Sequence, residues 1–222
     1  MQLPFTVDQF FDVFGDYNLT LWPVLAAFWV ASVAAAVQLI GGRVMTTGLA
    51  ALAAIQWAWT AVIYHALYFT EINPAAWLFA GLFLVQAGAF FWFGVVRRRL
   101  TFKLTRDSQH TLAALFLIFA LLYPALAVIG AHQFPRAPLF GVPCPLTLFT
   151  AGLLLAARPP VPPALFVLPI VWCVIGGSAA LLFGVIPDLA LWAAAVVLTI
   201  FGITHSRGRE QSLLRAAPGA AE

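Results

Sequence analysis

The sequence predicts an all-α, polytopic transmembrane helix bundle of about seven spans, with the N-terminus outside and the C-terminus cytoplasmic. Two observations carry this. The first is composition: 63% of the 222 residues are hydrophobic, only 9% are charged, and the mean hydropathy is +0.98. A soluble domain of that composition would lack the polar surface to cover its core. The second is where the charges fall. Arg43 lies in the first gap between apolar segments; Arg97, Arg98, Arg99, Lys103 and Arg106 lie in the third; Arg158 is in the fifth, and Arg207, Arg209 and Arg215 are in the tail. The other gaps hold Arg136 and the acids Glu71 and Asp188, and the N-terminal arm holds Asp8, Asp12 and Asp16 with no base. Alternation of this kind is the positive-inside pattern. A chain that must satisfy its own backbone groups in lipid then has to be helical.

Each element follows in order. Residues 1–20 read as a separate interfacial amphipathic segment. Thr6 can cap a helix with Asp8 and Gln9 in its first turn, and Phe10, Phe11 and Phe14 form an aromatic side. That segment is expected to lie on the outer leaflet or to plug the bundle mouth. Because no base precedes Arg43, the N-terminus lacks the basic region of a cleaved signal peptide and is expected to be retained. The bundle occupies 21–205, with spans near Leu21–Ile40, Val44–Phe69, Pro74–Val96, Thr111–Gly130, Pro145–Ala157, Ala164–Phe183 and Asp188–Thr204. Most approach the roughly 20 residues that a bilayer core requires. Pro145–Ala157 is short, and reads either as a thin tilted span or as a re-entrant segment; the charge alternation favours a full crossing, since a re-entrant loop would put Arg158 on the acidic side. Trp22, Trp77 and Trp92 mark span ends, where indole favours the interface. The polar tail 206–222 is expected to be disordered. No repeat is evident, and an odd helix number argues against two equal inverted halves.

Small residues recur every four positions in the first span (Ala27, Ala31, Ala35) and the second (Ala50, Ala54, Ala58), a spacing that lets helices approach closely. At 100° per residue Gln38 and His65 fall on these stripes, so both should face protein. Gln56, Thr60 and Tyr64 form a polar row on the second span.

His65 is an ionisable residue inside a span, and such residues are functional candidates. Glu71 and Asn73 follow in the next loop, His132 closes the fourth span at the same level, and Asp188 opens the last. Together with Tyr64 these residues are expected to line an outward-facing vestibule, where a His–carboxylate pair can relay protons or bind a cation. Cys144 stands in Gly141-Val142-Pro143-Cys144-Pro145, a stiff helix start where a thiol can become reactive or ligate a soft metal. Read structurally, the same motif only sets a rigid helix entry.

Other chemistries are less well served. Cys144 and Cys173 are too far apart in sequence for a C-x-x-C pair, and Cys173 reads as an apolar filler. His65, His132 and Cys144 are of the right types for zinc or copper but lack close ligand spacing. Bis-His haem lacks its two mid-membrane histidines. Gly176-Gly177-Ser178-Ala179 has no partner base for its serine, and the only lysine, Lys103, is in a loop, which excludes a retinal Schiff base. No cofactor is expected. The bases flank spans instead of forming a stripe, so nucleic acid is not an expected partner. The expected partners are the lipid bilayer, a small molecule or ion, and a second copy or a membrane subunit.

Several strings resemble an uncharacterised bacterial family of multi-pass inner-membrane proteins, a domain-of-unknown-function family. They include Leu3-Pro4-Phe5-Thr6-Val7-Asp8-Gln9-Phe10, Tyr17-Asn18, Trp22-Pro23, Tyr64-His65, Ile72-Asn73-Pro74-Ala75-Ala76 and Gly141-Val142-Pro143-Cys144-Pro145. The resemblance covers nearly the whole chain and implies a protein of the bacterial cytoplasmic membrane; some members carry the label permease. The leading functional expectation is therefore a small-solute or ion permease, or a ligand-binding membrane protein, with a polar site in its outer half. Two alternatives stand beside it: a non-catalytic accessory subunit or sensor, and a membrane enzyme using Cys144.

Overall fold

The computed structural model describes residues 4–105, 107–129 and 133–216. It is a helical bundle of about seven spans: α1 (Val7–Ile40), α2 (Thr47–Trp59), α3 (Ala76–Phe90), α4 (Ser108–Ile129), α5 (Pro143–Ala156), α6 (Ala164–Phe183) and α7 (Ala190–Ala216). Among the described residues, six helical segments are long and apolar enough to cross a membrane, and Pro143–Ala156 is a shorter apolar one. Large apolar side chains such as Trp77, Leu181 and Ile186 cover the perimeter, as lipid-facing surfaces require.

The N-terminal segment is not set apart from the first span. Helix α1 runs unbroken for 34 residues, about 50 Å at 1.5 Å per residue, so its first turns overshoot a 30 Å hydrocarbon core. A reciprocal capping box starts it: Thr6 Oγ1 accepts from the Gln9 amide and Gln9 Oε1 accepts from the Thr6 amide. Pro23 does not break the helix. Tyr17 and Asn18, which lie within the segment 1–20, are wholly buried, so the overshoot is held by protein contacts.

Two spans change helical type part-way. Helix α2 continues as a π-helix over Thr60–Tyr68 and a 3-10 turn over Phe69–Glu71, and α3 continues as a π-helix over Phe91–Val96. Helix α7 is preceded by a 3-10 turn, Ile186–Leu189, and extends through Ala216. Thus the backbone is helical well into the tail expected to be disordered, consistent with the helix formers Glu210, Gln211, Leu213 and Leu214; residues 217–222 lie outside the described residues.

Helix α5 is the centre of the bundle. Every residue but Cys144 is buried along its 14-residue length, mainly against α4, α6 and α7. Its start meets the turns of α1 at one end of the molecule. The residue that caps its C-terminus, Ala157, is bridged to Phe102 at the other, where Phe102 also pairs with Met45. The short helix therefore runs from one end to the other, sheathed by protein where it is too short to meet lipid alone. Arg158 emerges on the same end as Arg43 and the Arg97–Arg99 loop, as the charge alternation requires.

The small-residue stripes fare unevenly. Ala35, Ala50 and Ala54 are buried, Ala31 and Ala58 half-buried, and Ala27 is exposed; the middle of α1 meets α2 through Phe28 and Ser32 instead, Gln56 Nε2 donating to Ser32 Oγ at 2.8 Å and Phe28 packing on Trp59. Gln38 is half-buried, donating to its own helix at Ala34 O and accepting from Arg43. Gln56, Thr60 and Tyr64 are all buried.

Candidate functional site

The loop before α5 is clamped before it delivers Cys144. Tyr17 Oη and Thr60 Oγ1 both donate to Gly141 O, at 3.1 and 3.2 Å, and Trp59 Nε1 donates to Tyr17 Oη at 2.8 Å. Asn18 Nδ2 donates to Pro135 O and Ala137 O at 2.6 and 2.7 Å. Gly141 has φ +108°, and a Cβ there would meet Leu25 Cδ2 at 2.8 Å, so only glycine makes this turn. Pro143 then occupies the first turn of α5, where its missing N–H costs nothing.

The thiol so placed meets a carboxyl group. Asp188, 7% exposed, is carried by the 3-10 turn ahead of α7. Tyr123 Oη, from α4, donates to Asp188 Oδ1. Cys144 hydrogen-bonds the same carboxyl group. Cys144 Sγ and Trp172 Nε1 both lie over Gly176 of α6, where an added Cβ would come within 3.3 and 3.4 Å of them. Tyr64, 3% exposed, faces this group from the π-helical part of α2. No basic side chain among the described residues faces Asp188.

These side chains border a largely enclosed cavity of about 40 Å³, lined by Tyr64, Cys144 and Asp188 and by Phe10, Phe14 and Phe183. At roughly 10–15 Å³ per probe-sized occupant, this is room for about three water-sized species. The roof is an aromatic stack: Phe10 lies 4.2 Å from Phe183 and 5.0 Å from Phe14, and Phe5 packs on Phe10, Phe69 and Phe183. The aromatic side of the N-terminal turns thus closes the bundle mouth.

His65 stands apart from the cavity. It is fully buried, and its ring packs edge-on against Phe83 at 4.7 Å, Trp172 at 5.2 Å and Phe79 at 5.7 Å. Neither ring nitrogen has a hydrogen-bond partner among the described residues. It therefore forms no base–nucleophile pair with Cys144. Of the expected vestibule, the structure gathers Tyr64, Cys144 and Asp188 and seals His65 behind aromatic rings. Glu71 is exposed on its 3-10 turn, and Asn73 accepts from the Ala75 amide at the start of α3; His132 lies outside the described residues. The expected His–carboxylate pair does not form at His65, which is buried among aromatic rings, while Glu71 is exposed. Tyr123 and Trp172 were not expected at the site. Tyr123 left one signal: it is a polar tip inside an otherwise apolar span, next to Pro124.

A family model described as "Family of unknown function (DUF6064)" matches residues 7–212. No curated protein matches the chain, and no solved structure does.

Proposed function

The chain belongs to the DUF6064 family, and since that family brings no activity with it, we propose from the site alone that this is a small-cation-binding membrane protein of permease type. It sits in the bacterial cytoplasmic membrane with its N-terminus outside. Asp188 is the charged ligand, Cys144 and Tyr64 complete the pocket, and Tyr123 orients the carboxyl group.

The observation that carries the reading is Asp188 itself. A carboxyl group inside a span is costly unless it is paired or serves an ion path. Here it borders a cavity, keeps only a phenol and a thiol as partners, and has no basic neighbour among the described side chains. A cation of water size fits the space; a larger solute does not fit without movement of the Phe10–Phe183 roof. The thiol-enzyme reading has less support, since the space beside Cys144, about 40 Å³, does not admit a lipid or thiol substrate.

The test is thermal unfolding of the protein in nanodiscs at constant ionic strength, titrated with sodium, potassium, silver or choline. One small cation is expected to raise the melting temperature by mass action, and Asp188→Asn is expected to abolish the rise. An equal response to all four cations, or a response that persists in Asp188→Asn, would overturn the assignment.

A further inference from the structure

The opposite end of the bundle carries a second feature. Three loops from distant parts of the sequence are stitched together there by main-chain bonds. Met45 and Phe102 exchange N–H···O bonds of 2.9 and 2.8 Å, the Lys103 amide donates to Ala156 O at 2.9 Å, and the Arg158 amide donates to Thr101 O at 2.8 Å. Leu100, Phe102 and Ala157, each no more than 1% exposed, root this patch in the core. The loops are thus held in fixed register with one another.

That frame displays Arg43, Arg97, Arg98, Arg99, Lys103 and Arg158, all exposed except the half-buried Lys103. Among the described side chains, none of the six is paired with an acid. The one described acid nearby, Asp107, is taken up by Thr105 and His110. Arg98 holds φ +47°, a conformation non-glycine residues rarely adopt, while the Arg97 and Arg99 amides bond back to Trp92 O and Phe93 O, both at 2.8 Å. Arg43 is steadied by Gln38 Oε1 at 3.1 Å, and Arg97 rests over the Trp92 ring.

A positive-inside signal needs only charge on the correct side of the membrane. It does not need three loops locked together, nor an arginine held at positive φ in one of them. We infer that this end is a built site for the phosphate headgroups of anionic phospholipids, with guanidinium forks from separate loops converging on lipid phosphates. Arginine suits that task because its planar donors meet phosphate oxygens in pairs. Juxtamembrane bases gain about 1 kcal/mol each at an anionic leaflet. The inference is independent of the cation site at the other end.

The experiment uses the full chain in detergent, with short-chain phosphatidylglycerol, phosphatidylcholine of the same chain length, or inorganic phosphate added, and melting followed at low and high salt. Phosphatidylglycerol is expected to raise the melting temperature, phosphatidylcholine and free phosphate much less, and high salt to shrink the difference. Arg43→Gln with Arg158→Gln leaves the 97–99 cluster as a topology signal and should weaken apparent lipid affinity roughly 10- to 30-fold. Arg43→Lys with Arg158→Lys keeps the charge and should recover only part of that loss. Equal stabilisation by both lipids would overturn the inference, and so would an undiminished effect in the glutamine pair. Stabilisation by inorganic phosphate as strong as by phosphatidylglycerol would also overturn it, by assigning the site to a free anion.

Discussion

Tyr123 and Asp188 come from α4 and the turn before α7, and their hydrogen bond is buried, so each side chain depends on the other for its partner. Removing the phenol oxygen leaves the carboxyl group short of a donor in an apolar setting. Tyr123→Phe should destabilise the protein by roughly 1–3 kcal/mol, read as earlier loss of the monodisperse peak after heating. In Asp188→Asn the same phenylalanine change should cost measurably less, because the two groups act as one unit. At this scale the sequence was only partly legible. Asp188 and Cys144 stood out as polar groups at span ends, and Tyr64 as part of a polar row. That Trp172 and Tyr123 join them depends on the rotation of α6 and α4 about their axes, which apolar sequences leave open. His65 shows the converse. Its position within a span was readable, but the aromatic shell around it comes from three other helices or loops.

At the scale of elements, two helix contacts give sharp expectations. Gly152 of α5 lies so close to α4 that an added Cβ would sit 2.7 Å from Leu117 Cγ and 2.9 Å from Ala113 O. Gly152→Ala must push the helices apart, and overpacking of this kind costs about 1–3 kcal/mol; the same heating assay measures it. The start of α4 gives a pH prediction. The Asp107 carboxyl is pulled down from 3.8 to about 2, first by the Thr105 hydroxyl, then by the His110 amide and ring. Because its folded value is depressed, its contribution is present above pH 3.8 and is lost as the pH falls through about 2. Hydrogen exchange at amides 109–112, corrected for intrinsic rate, should lose protection across that interval, and Asp107→Ala should show low protection at every pH. The Arg136 bridges to Asp8 and Asp12, at 3.2 and 3.0 Å, are exposed, so breaking them should change stability little.

For the whole molecule, the expected orientation is tested by fusing reporters that are active on one side of a membrane only. A cytoplasmic reporter should be active after the tail and a periplasmic reporter after the Glu71 loop. The reverse pattern would place the acidic end, and with it the Asp188 cavity, in the cytoplasm.

Composition and charge placement by themselves determined that the chain forms a helical bundle, roughly how many spans it has, and which loops share an end. Those follow from hydrocarbon thickness and backbone satisfaction, which act on each segment alone. Only the tertiary structure decided that α1 is continuous, that α5 is the sheathed core helix, that part of α2 is a π-helix, and that a thiol, a carboxyl group and two phenols converge beneath an aromatic roof. Lipid and protein interior are almost equally apolar, so hydropathy cannot say which face of a helix turns inward. That choice belongs to side-chain fit and interhelical hydrogen bonds, and these exist only once the helices have met.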